Sequence, residues 1–330
     1  MVFCPFFVRG QTIHLATGYL ENLEKSADVA TVAFLEYAAD RFLNKKEKNV
    51  TRKKNRFFEV LQSQKKRIEN EKPFNGQLRL KNGYTNYLEE LKQFPENLEP
   101  YSELSIEDYR TGIAQKRKKD FIGQLDLLKI SAADLNLEVF KYIILNKLKD
   151  FKKGSAMPEK WESVFKIFAY SHKMQESVLT VGALDRHFFW LIERDSIEKA
   201  ESVRLSSLQQ SATLGASVKI RPPVPTDFSL REAAVNSINF YRLDAFRNFK
   251  SVLDSRKKEI AFQKKYPNGA TSLDKNEASV SKYEKEKAQI EAALSTIRNL
   301  AKEVKKDRDK HEKAFDEYLA QFVERWTQEE

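Results

Sequence analysis

The stretch "SKYEKEKAQIEAALSTIRNLAKEVKKDRDKHEKAFDEYLAQFVERW", residues 281–326, decides the fold class. An apolar or aromatic position recurs every seven residues, and a second series follows most of these positions four residues later. Intervals that alternate between three and four residues are typical of a coiled-coil seam. We call this set the C-terminal seam, and its predicted oligomer-forming positions are Tyr283, Ile290, Leu294, Ile297, Val304, His311, Phe315, Tyr318 and Phe322.

The length of this helix predicts that it has a partner. A helix of about 40 residues is about 60 Å long, too long for one compact core to bury. The helix predicted at 229–266 supplies only part of the partner surface. We therefore predict a homodimer or higher homo-oligomer, in which a second copy covers the rest of the C-terminal seam.

Two polar residues, Arg308 and His311, interrupt the C-terminal seam. They are compatible with a polar layer that sets the register or responds to pH. They are equally compatible with a helix that leaves its partner at this point, so that both side chains are solvated. The second interpretation is the more ordinary one.

The bulk composition points to helices throughout. The chain has 330 residues, of which 41% are hydrophobic and 32% are charged, with only 10 glycines and 9 prolines. Few helix breakers and many Lys, Glu, Leu and Ala residues favour helices. We predict an all-α fold with a helical N-terminal region and a long antiparallel coiled-coil hairpin at the C-terminus.

Breaks in the helical pattern divide the chain into five predicted segments. "SVKIRPPVPTDF" is the clearest linker, because three prolines lie close together in it. Ser131 and Ser229 each begin a capping-box pattern that predicts a helix start. The segments are an N-terminal arm at 1–25, a helical basic region at 26–158, core helices at 159–216, a Pro-rich linker at 217–228 and the long helical hairpin at 229–330.

Positive charge is concentrated in three clusters. The formal net charge is +10, and the stretch from Arg41 to Lys72 carries most of the excess. Smaller clusters lie at 115–119 and before the Pro-Asn-Gly corner at 267–269. The predicted anion-binding residues are Lys45, Lys46, Lys48, Arg52, Lys53, Lys54, Arg56, Lys65, Lys66, Arg67, Lys116, Arg117, Lys118, Lys119, Arg256, Lys257, Lys258, Lys264 and Lys265.

The aromatic residues Phe57 and Phe58 lie inside the first cluster, and three interpretations remain open. Cations interleaved with rings fit nucleic acid, where cations contact phosphates and rings stack on bases. Clustered Lys and Arg also fit an anionic membrane, which attracts each of them by about 1 kcal/mol. In the third interpretation the two rings face the core, and the cations form a solvated helix face.

No residue pattern predicts catalysis. The sequence lacks the motifs GxxxxGK[ST], GxGxxG and GxSxG, and its four histidines are far apart and show no metal-ligand spacing. Carboxylate pairs are numerous, but on charged helices such pairs are usually solvated. We predict a protein that is not an enzyme and that needs neither a cofactor nor a metal.

The N-terminal sequence and the cysteine usage predict a cytoplasmic location, with peripheral membrane association as an expectation. Cys4 is the only cysteine, which excludes an internal disulfide framework and favours a reducing compartment. No apolar run reaches the roughly 18–20 residues that span a bilayer. The opening "MVFCPFFVRG" lacks the charged start and cleavage site of a signal peptide. It fits a membrane wedge or an arm that docks on another protomer, although packing on its own domain is the favoured interpretation.

The last hundred residues resemble the final two helices of BAR domains, especially those of the sorting-nexin type. The helix "FYRLDAFRNFKSVLDSRKKEIAFQKK" leads to the corner "YPNGATSLDK", and the heptad helix follows it. The resemblance implies a three-helix antiparallel coiled coil that dimerises into a curved scaffold on membranes. It also implies lipid contact through cations near the corner, where this sequence has Arg256, Lys257, Lys258, Lys264 and Lys265.

Together these patterns predict a non-enzymatic, dimeric scaffold that binds or remodels anionic membrane surfaces through basic helical faces. One alternative is a nucleic-acid-binding protein of nucleocapsid or packaging type. In that alternative the stretch from Arg41 to Lys72 lines a phosphate groove. Another alternative is a structural coiled-coil subunit of a larger assembly, whose basic faces meet acidic partners.

Overall fold

The computed structural model describes residues 5–104, 108, 111–148, 157–224, 227–267, 269 and 277–328. Within these ranges the chain forms α-helices and one short 3-10 turn at Phe74–Gly76, and no strand. The fold is therefore all-α, as predicted. The helices are α1 (Pro5–Phe42), α2 (Glu47–Asn70), α3 (Leu78–Asn97), α4 (Ile113–Asn146), α5 (Met157–Ile192), α6 (Ile197–Ile220), α7 (Ser229–Lys265) and α8 (Glu277–Gln328).

The chain divides into two compact units, at other points than the predicted segments. Unit 1 comprises residues 1–172 and 320–330, and unit 2 comprises residues 173–319. Helices α5 and α8 each contribute residues to both units. The predicted Pro-rich linker lies within unit 2, because α6 and α7 on its two sides pack against each other.

Aromatic residues from four helices meet in the core of unit 1. The ring of Phe34 on α1 is 5.5 Å from Phe57 on α2, 4.9 Å from Phe94 on α3 and 5.6 Å from Trp161 on α5, measured between centroids. All four side chains are fully buried. Because each ring buries a large apolar area, this cluster holds the four helices together.

Two local signals in unit 1 do not have the predicted outcome. The expected N-terminal arm at 1–25 is not separate, because α1 runs without a break from Pro5 to Phe42. The capping-box pattern at Ser131 does not start a helix, because α4 continues through it and packing decides the local conformation. Separately, the pair Asn82-Gly83, a sequence that on its own favours a turn, lies inside α3. There Gly83 allows a close approach to α4, since an added Cβ would be 3.3 Å from Leu135 Cδ1.

In unit 2, α6 and α7 lie on the two sides of the predicted Pro-rich break. Helix α6 continues to Ile220, so the break is shorter than predicted. Helix α7 begins at Ser229, whose backbone N–H donates a 2.7 Å hydrogen bond to Asp227 Oδ1. Asp227 rather than Ser229 thus satisfies a free N–H at this helix start. The two helices enclose a core with α5, made of Phe188, Leu191, Ala200, Ala245, Phe249, Val252 and Leu253.

The C-terminal seam contacts residues of its own chain. Helix α8 is 52 residues long. The ring of Tyr283 lies 5.5 Å from Phe262 on α7, and in unit 1 the ring of Phe322 lies 5.7 Å from Tyr170. Contacts within one chain therefore bury part of the seam, and the oligomer stays a prediction. The buried members are Tyr283, Val304, Phe315 and Phe322; Ile290, Leu294, Ile297 and His311 are half-buried, and Tyr318 is exposed.

Across the described ranges, none of the helices has both the length and the apolar character that crossing a bilayer requires. Helix α8 illustrates the reason, because its long sequence alternates apolar seam positions with charged residues.

Candidate anionic-surface interface

The predicted basic cluster of 45–67 lies mainly on α2, which is strongly amphipathic. Its buried face carries Val50, Phe57, Leu61 and Ile68 at spacings of seven, four and seven residues. These residues pack against the core of unit 1, so the opposite face of α2 points to solvent. Phe57 is fully buried and Phe58 is half-buried, as the solvated-face interpretation expects of these rings.

The solvent face of α2 carries a row of cations, which we call the α2 stripe: Lys48, Arg52, Arg56, Lys66 and Arg67. The first three recur at four-residue intervals, and Lys66 follows Lys48 by about five full turns, so all five share one direction. All five are exposed, and the row is about 28 Å long. Glu59 is the only acidic residue that shares this direction.

Most members of the α2 stripe have no acidic partner. Arg56 Nη1 lies 3.1 Å from Glu36 Oε2 while its side chain stays 62% exposed. Within the described ranges, the other four members lie within 4 Å of no carboxylate oxygen. Their charge is therefore available to an anion from outside the chain.

Several other predicted residues on α2 form ion pairs inside unit 1. Lys53 and Lys65 lie 2.5 Å from Glu36 and 2.8 Å from Glu89, respectively. Hydrogen bonds from Lys65 and Lys92 lower the pKa of Glu89. These cations link α2 to its neighbours and contribute less to an outer surface. Of the remaining predicted residues, Lys45 pairs with Glu324, Lys54 lies over the ring of Phe58, and Lys46 is exposed.

The second cluster is not a continuous basic surface, which corrects the sequence-based assignment. Lys118 is only 6% exposed, and it donates a hydrogen bond to the Phe42 carbonyl oxygen and lies 3.9 Å from the centre of the Phe42 ring. Lys116 and Arg117 lie 3.4 and 3.1 Å, respectively, from the Glu99 carboxylate. Their hydrogen bonds lower the pKa of Glu99, and Arg117 makes the larger contribution. Only Lys119 is both exposed and without such a partner in the described ranges.

The third cluster, before the corner, is partly neutralised within unit 2. Arg256 lies 2.5 Å from Asp195 and also pairs with Glu259. Lys265 Nζ lies 2.8 Å from Glu286. The exposed cations that remain are Lys257, Lys258 and Lys264. Asn268 of the predicted corner lies outside the described residues.

A buried polar cluster in unit 2 was not predicted as a site. Asp185 on α5 is fully buried, and its Oδ2 lies 2.6 Å from Arg308 Nη2 on α8. Burial is the main cause that raises the pKa of Asp185 well above its usual range, while Arg308 opposes the shift and the buried Asp244 adds to it. The guanidinium of Arg308 also lies 5.2 Å from the centre of the Phe189 ring.

A second set of polar contacts extends this cluster. Tyr241 donates a 2.6 Å hydrogen bond to Glu312, which also pairs with Arg186. His311 stacks on Phe240 with ring centroids 4.3 Å apart. Arg308 and His311 are thus engaged within unit 2 rather than solvated. The sequence signal for this cluster was a charged residue at a core position of each of α5, α7 and α8.

These groups do not form a metal site. Within the described ranges, no three His, Cys, Asp or Glu residues converge in a way that could hold a metal ion. The cluster pairs opposite charges inside a helical core, an arrangement that favours one register of the helices over others.

Comparison with known proteins gives no assignment for these surfaces. No protein-family model matches the chain, and neither a curated protein nor a solved structure matches it significantly. The resemblance of α7 and α8 to BAR domains therefore stays a prediction. The function has to be argued from the surfaces themselves.

Proposed function

We propose that the chain is a non-enzymatic protein that binds anionic membrane surfaces through the α2 stripe. The observation that carries this proposal is the stripe itself, five exposed cations in one direction along about 28 Å with a single acidic residue among them. Four to eight clustered Lys and Arg residues on an amphipathic helix are typical of binding to anionic lipid.

The orientation of the aromatic rings favours a membrane over single-stranded nucleic acid. Stacking on bases requires ring faces that are open to solvent. Phe57 is fully buried, and Phe58 packs on Phe57 with Lys54 over its ring. The stripe therefore offers charge without stacking platforms, and charge alone is sufficient for a lipid surface.

The experiment is co-sedimentation of the full chain with phosphatidylcholine vesicles, with and without about a third of phosphatidylserine. The test variant replaces Lys48, Arg52, Lys66 and Arg67 with glutamine. At about 1 kcal/mol for each cation, its affinity for the anionic vesicles is expected to fall by about two to three orders of magnitude. Binding by the unmodified chain is expected to weaken steeply as salt is added.

A matched control removes the same net charge elsewhere. Lys302, Lys305, Lys306 and Lys310 are exposed on α8, where Glu303, Asp307 and Asp309 are interspersed among them. Replacing these four lysines with glutamine is expected to change vesicle binding much less. An equal loss of vesicle binding in both variants would mean that binding depends on net charge and not on the stripe. Binding that is the same with and without phosphatidylserine would contradict the proposal outright.

The same variants distinguish the alternative partner. A gel shift with duplex DNA or RNA that is abolished in the α2 variant, without vesicle binding by the unmodified chain, would identify nucleic acid as the partner. The corner cations provide a further comparison. Because Arg256 and Lys265 are paired within the chain, neutralising the corner cluster is expected to have a smaller effect than neutralising the stripe.

A further inference from the structure

Helix α4 is apolar on two opposite faces, and its core packing uses only one of them. Its inner face is buried in unit 1 and includes Phe121, Leu125, Leu128 and Leu135. Its outer face carries large apolar side chains that are between 40 and 72% exposed. These exposed residues are Leu127, Ile130, Leu137, Phe140, Ile144 and Leu145.

The outer apolar residues follow a coiled-coil spacing. Ile130, Ala133, Leu137, Phe140 and Ile144 recur at intervals of three, four, three and four residues. This spacing keeps one stripe facing a partner helix. We call these five residues the α4 seam, which spans about 21 Å of helix. Scattered exposed apolar residues need no partner, but a contiguous row at this spacing indicates an interaction site.

The two flanks of the α4 seam differ. On one flank, Lys129 is held within unit 1: its Nζ lies 3.0 Å from Asp126, 3.5 Å from Glu162 on α5 and 4.5 Å from the centre of the Phe165 ring. On the other flank, Asp134 and Lys141 are exposed, and each lies four residues after an isoleucine or leucine of the seam. A partner helix therefore finds its charged contacts on the flank of Asp134 and Lys141.

This open flank is complementary to itself. When two copies of a helix pack antiparallel, the open flank of one copy lies against the open flank of the other. In a parallel pair, the open flank of one copy would instead lie against the Lys129 flank of the other. In the antiparallel pair Asp134 of each copy lies beside Lys141 of the other, and the contact occurs twice by symmetry. The present bond of Lys141 to Glu138 on the same helix is an exposed pair of little strength, so it does not prevent the exchange.

We propose that the chain forms a symmetric dimer in which the α4 seams of two copies pack antiparallel. The pairing buries Leu137 and Phe140 near the two-fold axis and places Asp134 against Lys141 at the flanks. This interface is distinct from the C-terminal seam, of which Tyr283 and Phe322 pack within one chain. It does not depend on lipid binding.

The first experiment measures the mass of the full chain in solution by light scattering over a series of concentrations. The unmodified chain is expected to reach twice its 38.4 kDa mass. Leu137→Glu is expected to give the monomer mass, because it places a charge against an apolar partner. Leu205→Glu on α6 is the matched control, since Leu205 is also about half exposed, and it is expected to leave the dimer intact.

The second experiment tests the antiparallel arrangement by exchanging charges. Asp134→Lys and Lys141→Asp, made singly, each oppose like charges across the interface and are expected to weaken the dimer about tenfold. The double variant restores opposite charges and is expected to recover the dimer. In a parallel pair the lysine introduced at position 134 would instead lie beside Lys129, and the exchange at position 141 would not remove that repulsion. If the double variant does not recover the dimer, the antiparallel arrangement is wrong.

Three further outcomes overturn the proposal: a monomer mass for the unmodified chain at every concentration, a dimer that survives Leu137→Glu, and equal loss in the Leu205→Glu control. Circular dichroism of each variant verifies that it is folded. If Leu137→Glu reduces vesicle binding while the unmodified chain is monomeric, the α4 seam contacts lipid and the dimer is excluded.

Discussion

Lys118 and Lys48 show why individual cations are hard to assign from sequence. Both lie in basic runs on helices, yet Lys118 is buried against Phe42 and Lys48 is exposed on the α2 stripe. The run "QKRKK" covers more than one full helical turn, so at least one of its members must face the core of a packed helix. In the α2 run the apolar residues Val50, Phe57, Leu61 and Ile68 mark the buried face, so the spacing indicates which positions are exposed.

The buried carboxylate of Asp185 was not predicted as part of a site, because its partner is distant in sequence. Asp185 lies on the same helical face as Val181 and Phe188, and a charge at such a position indicates a buried partner. The sequence identifies the position but not the partner, because Arg308 is more than a hundred residues away. Only the folded structure brings the two helices together.

Glu24 provides a prediction at the residue scale. Burial, together with repulsion from the Asp28 carboxylate, raises the pKa of Glu24 from an ordinary value of 4.5 to about 7. The folded chain therefore binds more protons than the unfolded chain between these values, and the free energy of unfolding falls as pH rises through them. Relative to Glu24→Gln, we expect the unmodified chain to lose about 1–2 kcal/mol between pH 4.5 and 8, after an allowance for solvent screening.

Urea unfolding of both proteins at several pH values measures this difference. Glu89 serves as the control, because hydrogen bonds from Lys65 and Lys92 lower its pKa. Its contribution is present at neutral pH and is lost as pH falls below its ordinary value of 4.5, so Glu89→Gln is expected to show the opposite trend. A Glu24→Gln curve parallel to that of the unmodified chain would contradict the assignment.

At the scale of elements, the existence of helices was easier to predict than their ends. Long runs with few breakers specify helices, and the break near the three prolines was located within a few residues. Local sequence signals for helix ends were overridden by tertiary packing. Helix α4 therefore continues through Ser131, and α1 extends to Pro5. A glycine can mark a turn or a close contact between helices, and Gly83 shows that sequence alone does not distinguish them.

Gly182 provides a prediction about how two elements pack. It is buried on α5, and an added Cβ would lie 3.1 Å from the hydroxyl oxygen and 3.2 Å from Cζ of Tyr241 on α7. Tyr241 is held by its hydrogen bond to Glu312, so the ring cannot move freely. We expect Gly182→Ala to lower the free energy of unfolding by about 1–3 kcal/mol in a chemical denaturation experiment.

A second glycine shows whether that loss comes from the contact. An added Cβ at Gly18 on α1 would meet no atom within 4 Å. Gly18→Ala is therefore expected to stabilise the chain by up to about 1 kcal/mol, since alanine favours helix interiors. Stabilisation by both substitutions would show that Tyr241 can move and that the close approach is not a constraint.

At the scale of the whole molecule, a long C-terminal helix was predicted, with α7 as part of its partner, but the contribution of α5 was not. The heptad pattern demands a partner for the C-terminal seam, and it does not say whether that partner belongs to the same chain. In the structure, residues of α7 and α5 provide it. Helix α7 directly precedes α8 in the chain, whereas Tyr170 on α5 is far from Phe322 in sequence, and periodicity cannot specify such a distant pairing.

This arrangement predicts that helix content is independent of oligomeric state. Because four members of the C-terminal seam are buried within one chain, we expect the molar ellipticity at 222 nm per residue to stay constant over about a hundredfold dilution. The monomeric Leu137→Glu variant is expected to give the same value. A loss of helical signal on dilution would mean that α8 depends on a second copy after all.

The division of the chain between its units has a consequence for biosynthesis. Unit 1 contains residues 1–172, which are synthesised before unit 2, but its core also includes Phe322 and Val323 from the C-terminal end of α8. All of unit 2 lies between these segments and takes roughly ten seconds or more to translate at ordinary ribosome speeds. The first unit begun is thus the last completed. During that interval Tyr170 lacks Phe322, so a chaperone that shields apolar surface on nascent chains would find its substrate here.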